Sequence, residues 1–308
     1  MLAAISLAVT LMPKPQNLDL DGLARSACVA AIARYPKDNL KEADMAITVG
    51  RLDRAKGTMQ AGSFNGDLAM YPASVVKIFF LVYLASCLEK GTITLTPEIE
   101  RAARNMIVDS NNDATGHIVD VVTGATPGPE LPADELKAWM DRRQAVNRWF
   151  RSRGYTGVNA CQRTYNEGPY GRERQGLGPN YEHRNMLTTN ACAKLMADIA
   201  LDRFTGEKHS AWMKGFLRRQ IPADSDKADA QSKGYTGRVL PKGSELMSKA
   251  GWTSEVRHDL AWIKTPAGDE IVIAVFTKRG TNAELMSWLA KTVLDGLGVQ
   301  TVWKEAEG

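Results

Sequence analysis

The stretch MYPASVVKIFFLVYLASCLEKG, residues 70–91, decides how the rest of the chain reads. Pro72 suits a helix start and Gly91 a helix stop. From Ile78 to Leu88 the pattern is apolar on nearly every face, which predicts a helix buried all round. Ser74 and Lys77 are three apart and share a face of its first turn. An amine held that close to a core must be neutralised, paired or used.

The 308 residues suffice for one large domain or two small ones. Apolar residues make up 44% and charged residues 24%, as in ordinary water-soluble chains. A net charge of +4 is modest and predicts no nucleic-acid partner. No apolar run is long enough to cross a bilayer. The opening MLAAISLAVTLM, within residues 1–16, reads as the remnant of an export signal or as a leading strand or loose end. Cys28, Cys87, Cys161 and Cys192 show no metal-ligand spacing and are expected to be buried free thiols.

An amphipathic helix is expected over residues 18–34. DMAITVGRLD and TMQAGS read as strands joined by a turn at RAKG. Residues 96–218 are mostly helical in pattern, interrupted by Gly- and Pro-rich loops, the longest over residues 166–185. Strands return in ELMSKAGW, RHDLAWIKT and EIVIAVFTKR, and NAELMSWLAKTVLDGL closes the chain as a helix. The expected class is α/β (α+β): an antiparallel sheet built from both chain ends, flanked by the first and last helices, with a helical lobe inserted. One catalytic domain over residues 17–308 is expected, with an α/β lobe at 17–73 and 240–308 and a helical lobe at 74–239. A site belongs at their junction.

A serine hydroxyl attacks only once a base takes its proton. A desolvated lysine can be that base. A helix N-terminus adds unpaired N–H groups that favour developing negative charge, so Ser74 N–H can form half of an oxyanion hole. A bare S-x-x-K arises by chance about once in a chain of this length, and its ordinary meaning is a capping serine beside a solvated lysine. Two later segments change the weighing. In MIVDSNNDATGHIVD, Ser110, Asn111 and Asn112 make a natural helix cap, or else Ser110 passes protons near Lys77 while Asn112 bonds a substrate amide. In ELMSKAGWTSEVRHDLAW, Lys249 and Gly251 are a strand lysine and a twist-easing glycine. Alternatively, Gly251 admits a substrate, Lys249 faces the site and Trp252 N–H completes the oxyanion hole.

SVVK, SNN and KAG, in this order, resemble the S-x-x-K, S-D-N and K-T-G motifs of class A β-lactamases and penicillin-binding proteins. The likeness spans about residues 18–297. RHDLAWI is similar to the family's following strand, which puts Arg257 and Asp259 on matching positions and implies that Arg257 helps bind a substrate carboxylate. RNMLTTNACAKLMADI resembles the helix leaving the family's Ω-loop. The resemblance implies the family's fold and an acyl-enzyme on Ser74. Four departures accompany it. Asn111 replaces an aspartate. Ala250 replaces a hydroxyl residue, a loss of about 1 kcal/mol of substrate binding. Ser110 follows Ser74 by only 36 residues, while the region of residues 123–147 is extended. No E-x-x-L-N supplies the water-activating glutamate, for which Glu167 and Glu173 are the candidates, with Tyr165 near the expected register.

The resulting expectation is a serine hydrolase opening β-lactam amides. The alternatives are an esterase or peptidase of the same fold and a sensor that acylates once. The expected partner is a small molecule, with no metal or organic cofactor. The chain is expected to be monomeric and periplasmic or secreted.

Overall fold

The computed structural model describes residues 18–279 and 282–303; the segment read as an export-signal remnant lies outside them. The first helix, α1 (Leu20–Arg34), is capped by Asp19, whose side chain accepts from Gly22 N–H. It leads into the hairpin β1 (Met45–Asp53) and β2 (Thr58–Phe64). The middle of the chain is helical: α2 (Val76–Glu89), α3 (Pro97–Ile107), α4 (Asn112–Thr123), α5 (Ala133–Arg143) and α6 (Ala145–Arg151). Then come α7 (Arg172–Gly176), α8 (Thr189–Ala200), α9 (Glu207–Leu217) and α10 (Ala230–Lys233).

Three two-residue strands punctuate this middle, where helices and loops were expected. β3 (Val158–Asn159) pairs with β4 (Met186–Leu187), and β5 (Arg218–Arg219) joins the main sheet. β6 (Glu245–Trp252), β7 (Val256–Lys264), β8 (Glu270–Lys278) and α11 (Leu285–Gly296) finish the fold.

The main sheet has the order β2-β1-β8-β7-β6-β5, so strands from the two ends meet at β1 and β8 in its interior. Each paired neighbour is antiparallel. This is the expected α/β arrangement. β7 and β8 are buried nearly end to end because helices cover both faces. On one face α1 and α11 pack over Ile47, Ala250, Ala261 and Ile273. On the other, α2 and α8 pack over Leu260, Trp262, Ala274 and Phe276. Strand alternation therefore sorts side chains between two cores. Lys249, Gly251 and His258 fall on the α2 face, while Ala250, Trp252, Arg257 and Asp259 fall on the α1 and α11 face.

Of the 14 residues of α2, 12 are buried. Each large apolar side chain among them contributes about 1.5–3 kcal/mol, so two or three offset a costly group placed in their midst. The four cysteines are free and buried. Among the described residues, no helix is long and apolar enough to cross a membrane.

Candidate active site

The α-helix begins later than its sequence pattern suggested. Ala73–Val75 forms a 3-10 turn, and the α-helix starts at Val76. Ala73 has φ +45°, a left-handed conformation that a residue with a Cβ adopts at a cost, and it stops the helix from extending back to Pro72. Ser74 lies in the turn that follows. Its packing explains Gly251: a Cβ there would sit 2.7 Å from Pro72 O, 3.0 Å from Ser74 N and 3.1 Å from Val75 N. The space that Gly251 leaves is filled by the Ser74 turn itself.

Lys77 is fully buried. Its Nζ lies 2.5 Å from Ser110 O, 2.8 Å from Asn112 Oδ1 and 3.3 Å from Ser110 Oγ. Desolvation lowers its pKa from 10.5 to about 7. Lys249, also fully buried, donates to Ser110 Oγ at 3.0 Å, Gln231 Oε1 at 2.6 Å and Ala250 O at 2.9 Å. Desolvation first, then the charges of Lys77 and Arg219, push its pKa well below the usual lysine value. One hydroxyl, Ser110 Oγ, thus stands between two amines. Ser110 itself has φ +57°, a second strained residue in the site.

The neighbouring Asn111 does what a cap residue does: its side chain accepts from Ala114 N–H at the start of α4. Asn112 is spent within the protein. Its oxygen faces Lys77, and its Nδ2 donates to Tyr165 O at 2.8 Å and Asn166 Oδ1 at 3.0 Å. It therefore ties the long loop to the lysine.

The two glutamates of that loop differ. Glu167 is exposed. Glu173 is buried, ion-paired with the fully buried Arg143, and accepts from Tyr165 OH at 2.9 Å. Burial, then the charge of Glu173, holds the Tyr165 phenol well above its ordinary pKa. The residue pinned beneath Asn112 is thus Tyr165, with Glu173 one hydrogen bond behind it.

Arg257 is not brought to the two lysines. Its guanidinium sits over the Tyr235 ring and donates to Ala283 O at 3.2 Å. Trp252 is 45% exposed, with its ring near Tyr235. Ala250 N–H donates to Gln231 Oε1, away from β7; by alternation Trp252 N–H faces the same free edge. Asp259 is buried and accepts from Thr236 N–H at 3.0 Å and Thr236 Oγ at 2.6 Å. Desolvation raises its carboxyl to about 6.

Sequence reasoning missed Gln231 and Arg219. Gln231 accepts from Lys249 and donates to Val108 O at 2.8 Å. Arg219 pairs with Asp229 at 2.9 Å and donates to Ile107 O and Ser248 O. Together they clasp the end of α3 to β6. Neither carries a spacing signal; an arginine beside a second arginine and a glutamine on a four-residue helix look like surface.

Residues 97–297 match the model of the Beta-lactamase enzyme family. The chain belongs to the β-lactamase enzyme family. Ser74 and Lys77 lie ahead of the matched span. No curated protein matches. Among solved structures, a β-lactamase from Sphaerobacter thermophilus is 19% identical with a TM-score of 0.63, over 89% of this chain and 97% of that one. A point mutant of PBP-A, as its acyl-enzyme complex with penicillin G, has the same identity and TM-score, over 91% and 97%. A point mutant of the TLA-1 extended-spectrum β-lactamase is 11% identical with a TM-score of 0.64, over 89% and 99%. At these identities the likeness is one of fold. Family and fold together make this β-lactamase-like protein a hydrolase.

Proposed function

We propose that this protein is a serine hydrolase of class A β-lactamase type that opens β-lactam amides through an acyl-enzyme on Ser74, with release of the acyl group as its slow step. The observation carrying this reading is the amine of Lys77, fully buried, with its pKa lowered to about 7 and hydrogen-bonded to Ser110 and Asn112. A neutral amine has two N–H donors and one lone pair. The two shortest contacts, to Ser110 O and Asn112 Oδ1, take the donors. The lone pair is left for a proton from Ser74, directly or through Ser110.

As Ser74 Oγ bonds the carbonyl carbon, its proton passes to Lys77. The oxyanion meets Ser74 N–H and Trp252 N–H. When the ring C–N bond breaks, the nitrogen takes a proton through Ser110, which also touches Lys249. Arg219, charged and packed behind Lys249, supplies positive potential for a substrate carboxylate, and the Lys249 amine supplies N–H donors beside it. The position of Arg257 over Tyr235 favours Lys249 and Arg219 over Arg257 in that role.

Slow release is favoured by the loop. Glu167 is exposed and Glu173 is engaged by Arg143 and Tyr165, so neither carboxylate stands free beside Lys77 to orient a water. In the limit of no release the protein is a sensor that acylates once. Export to the periplasm or beyond, where β-lactams are met, completes the reading. Intact-mass spectrometry after mixing with penicillin, beside a chromogenic cephalosporin assay, tests it. The expected result is a stoichiometric adduct on Ser74 followed by slow turnover. No adduct, with hydrolysis of a p-nitrophenyl ester, overturns it in favour of an esterase.

A further inference from the structure

His258 is fully buried on β7, directly across from Gly251 on β6 and from Phe276 on β8. Its ring stacks on Phe276 with centroids 4.3 Å apart. Thr277 N–H points at Nδ1, 3.2 Å away, and a backbone N–H can only donate. Nδ1 is therefore the acceptor and Nε2 carries the proton, which it donates to Tyr71 O at 2.8 Å. Burial keeps the ring neutral, with its pKa lowered to about 4.

Tyr71 opens the segment Tyr71-Pro72-Ala73-Ser74, whose third residue is the strained Ala73. This segment is held at three points. Met70 and Leu187 exchange two backbone hydrogen bonds of 2.9 Å. Gly251 gives it room from below. His258 holds it by the Tyr71 carbonyl. A left-handed alanine persists only where its surroundings over-determine it, and His258 and Gly251, paired in register, are the sheet's share of that constraint.

We propose that His258 is a positioning residue for the nucleophile: acting through the Tyr71 carbonyl, it fixes the turn that aims Ser74 Oγ and Ser74 N–H. The role suits histidine. A neutral imidazole places a donor and an acceptor on one rigid ring, whose flat face also packs on Phe276. Without the Nε2 donor, Tyr71 O loses its partner and Ala73 can relax, carrying Ser74 with it. The inference rests on the reading of Ser74 as the nucleophile.

The test compares His258→Phe, which keeps the stack and loses both hydrogen bonds, with His258→Gln, whose amide can reach Tyr71 O. Penicillin acylation of Ser74 is followed by single-turnover mass spectrometry and split into saturating rate and half-saturating concentration. Amide exchange of residues 70–77 is measured on the free proteins. In His258→Phe the saturating rate should fall tenfold or more, with half-saturation within threefold of wild type. Exchange of residues 70–77 should rise at least tenfold. His258→Gln should restore both to within threefold.

A core histidine with no positioning role predicts a lower melting temperature, an unchanged acylation rate and unchanged exchange in this segment; that result overturns the proposal. If His258→Phe does not fold, Gln and Asn substitutions replace it, and a rate that is the same in both refutes the donor's role. Failure of wild-type Ser74 to acylate refutes the β-lactam reading instead, and the exchange data then decide the positioning of the turn alone.

Discussion

Replacing Lys77 with methionine should make the protein more stable at neutral pH and less stable in alkali. The side chain is fully buried and its pKa falls from 10.5 in the unfolded chain to about 7 in the fold. At about 1.4 kcal/mol per pKa unit, that difference corresponds to about 5 kcal/mol. Below pH 7 both states carry the proton, and the folded state bears the whole penalty. Between pH 7 and 10.5 the unfolded state binds the proton and the folded state does not, so wild-type stability rises with pH. Above 10.5 the penalty is gone.

Methionine has no such penalty. It forfeits the hydrogen bonds to Ser110 O and Asn112 Oδ1, about 1 kcal/mol each. The variant should thus gain about 3 kcal/mol at pH 6 and lose about 2 kcal/mol once Lys77 is neutral in both states. The curves should cross near pH 9. Removing the Lys77 charge also relieves Lys249, which adds to the gain at low pH. Urea unfolding of both proteins at pH 6, 8 and 10 measures the difference. A difference that changes by less than about 1 kcal/mol across that range, or with the opposite sign, refutes a buried, pKa-lowered Lys77.

Ser74→Ala should abolish covalent labelling by penicillin or a fluorophosphonate; wild-type labelling rates in that variant would remove Ser74 as nucleophile. Glu173→Gln leaves the fully buried Arg143 with Asp120, 3.3 Å away, as its remaining anion and should cost roughly 3 kcal/mol in urea unfolding. The exposed Glu167→Gln should stay within about 0.5 kcal/mol of wild type. Neither should lengthen the acyl-enzyme lifetime more than about twofold at a temperature where both are folded, on the reading that no free carboxylate drives release; a tenfold longer adduct in Glu173→Gln would identify it as the missing base. Gly251→Ala puts a Cβ 2.7 Å from Pro72 O, so it should cost about 1–3 kcal/mol and slow acylation at least tenfold. An unchanged acylation rate would mean that the Ser74 turn tolerates displacement.

What was legible in the sequence follows from what periodicity encodes. β1, β6, β7 and β8 and the helices α1, α2 and α11 are long and apolar enough for pattern alone to locate them, and the sheet built from both chain ends followed from their order. The start of α2 was missed because the strain at Ala73 is imposed from outside, by Gly251 and by the ties at Met70 and Tyr71. Alanine has no local preference for that conformation. β3 and β4 were missed because two residues have no period to detect; what sustains them is the further bridge from Leu187 to Met70.

The loop of residues 166–185 shows the same limit at the level of charge. In sequence, Glu167 and Glu173 are both acids in a polar segment, and Glu167 comes first by its distance from CQRTY. In the fold one is exposed and the other is among the most buried side chains, because Arg143, far along the chain from every motif, projects from the end of α5 into the same space. Arg143 is itself held by Ala125 O at 2.8 and 3.0 Å and by Asp120 at 3.3 Å, so its position does not depend on the loop alone. That cation pairs with Glu173 inside the fold, while Glu167 stays exposed. Glu173 takes the Tyr165 hydroxyl, and Tyr165 O takes Asn112, whose other end meets Lys77. The Arg143–Glu173 ion pair is therefore connected, through Tyr165 and Asn112, to the amine of Lys77, the proposed base of acylation. A substitution at Arg143 should consequently be felt first as a loosened loop and only then as altered chemistry at Ser74.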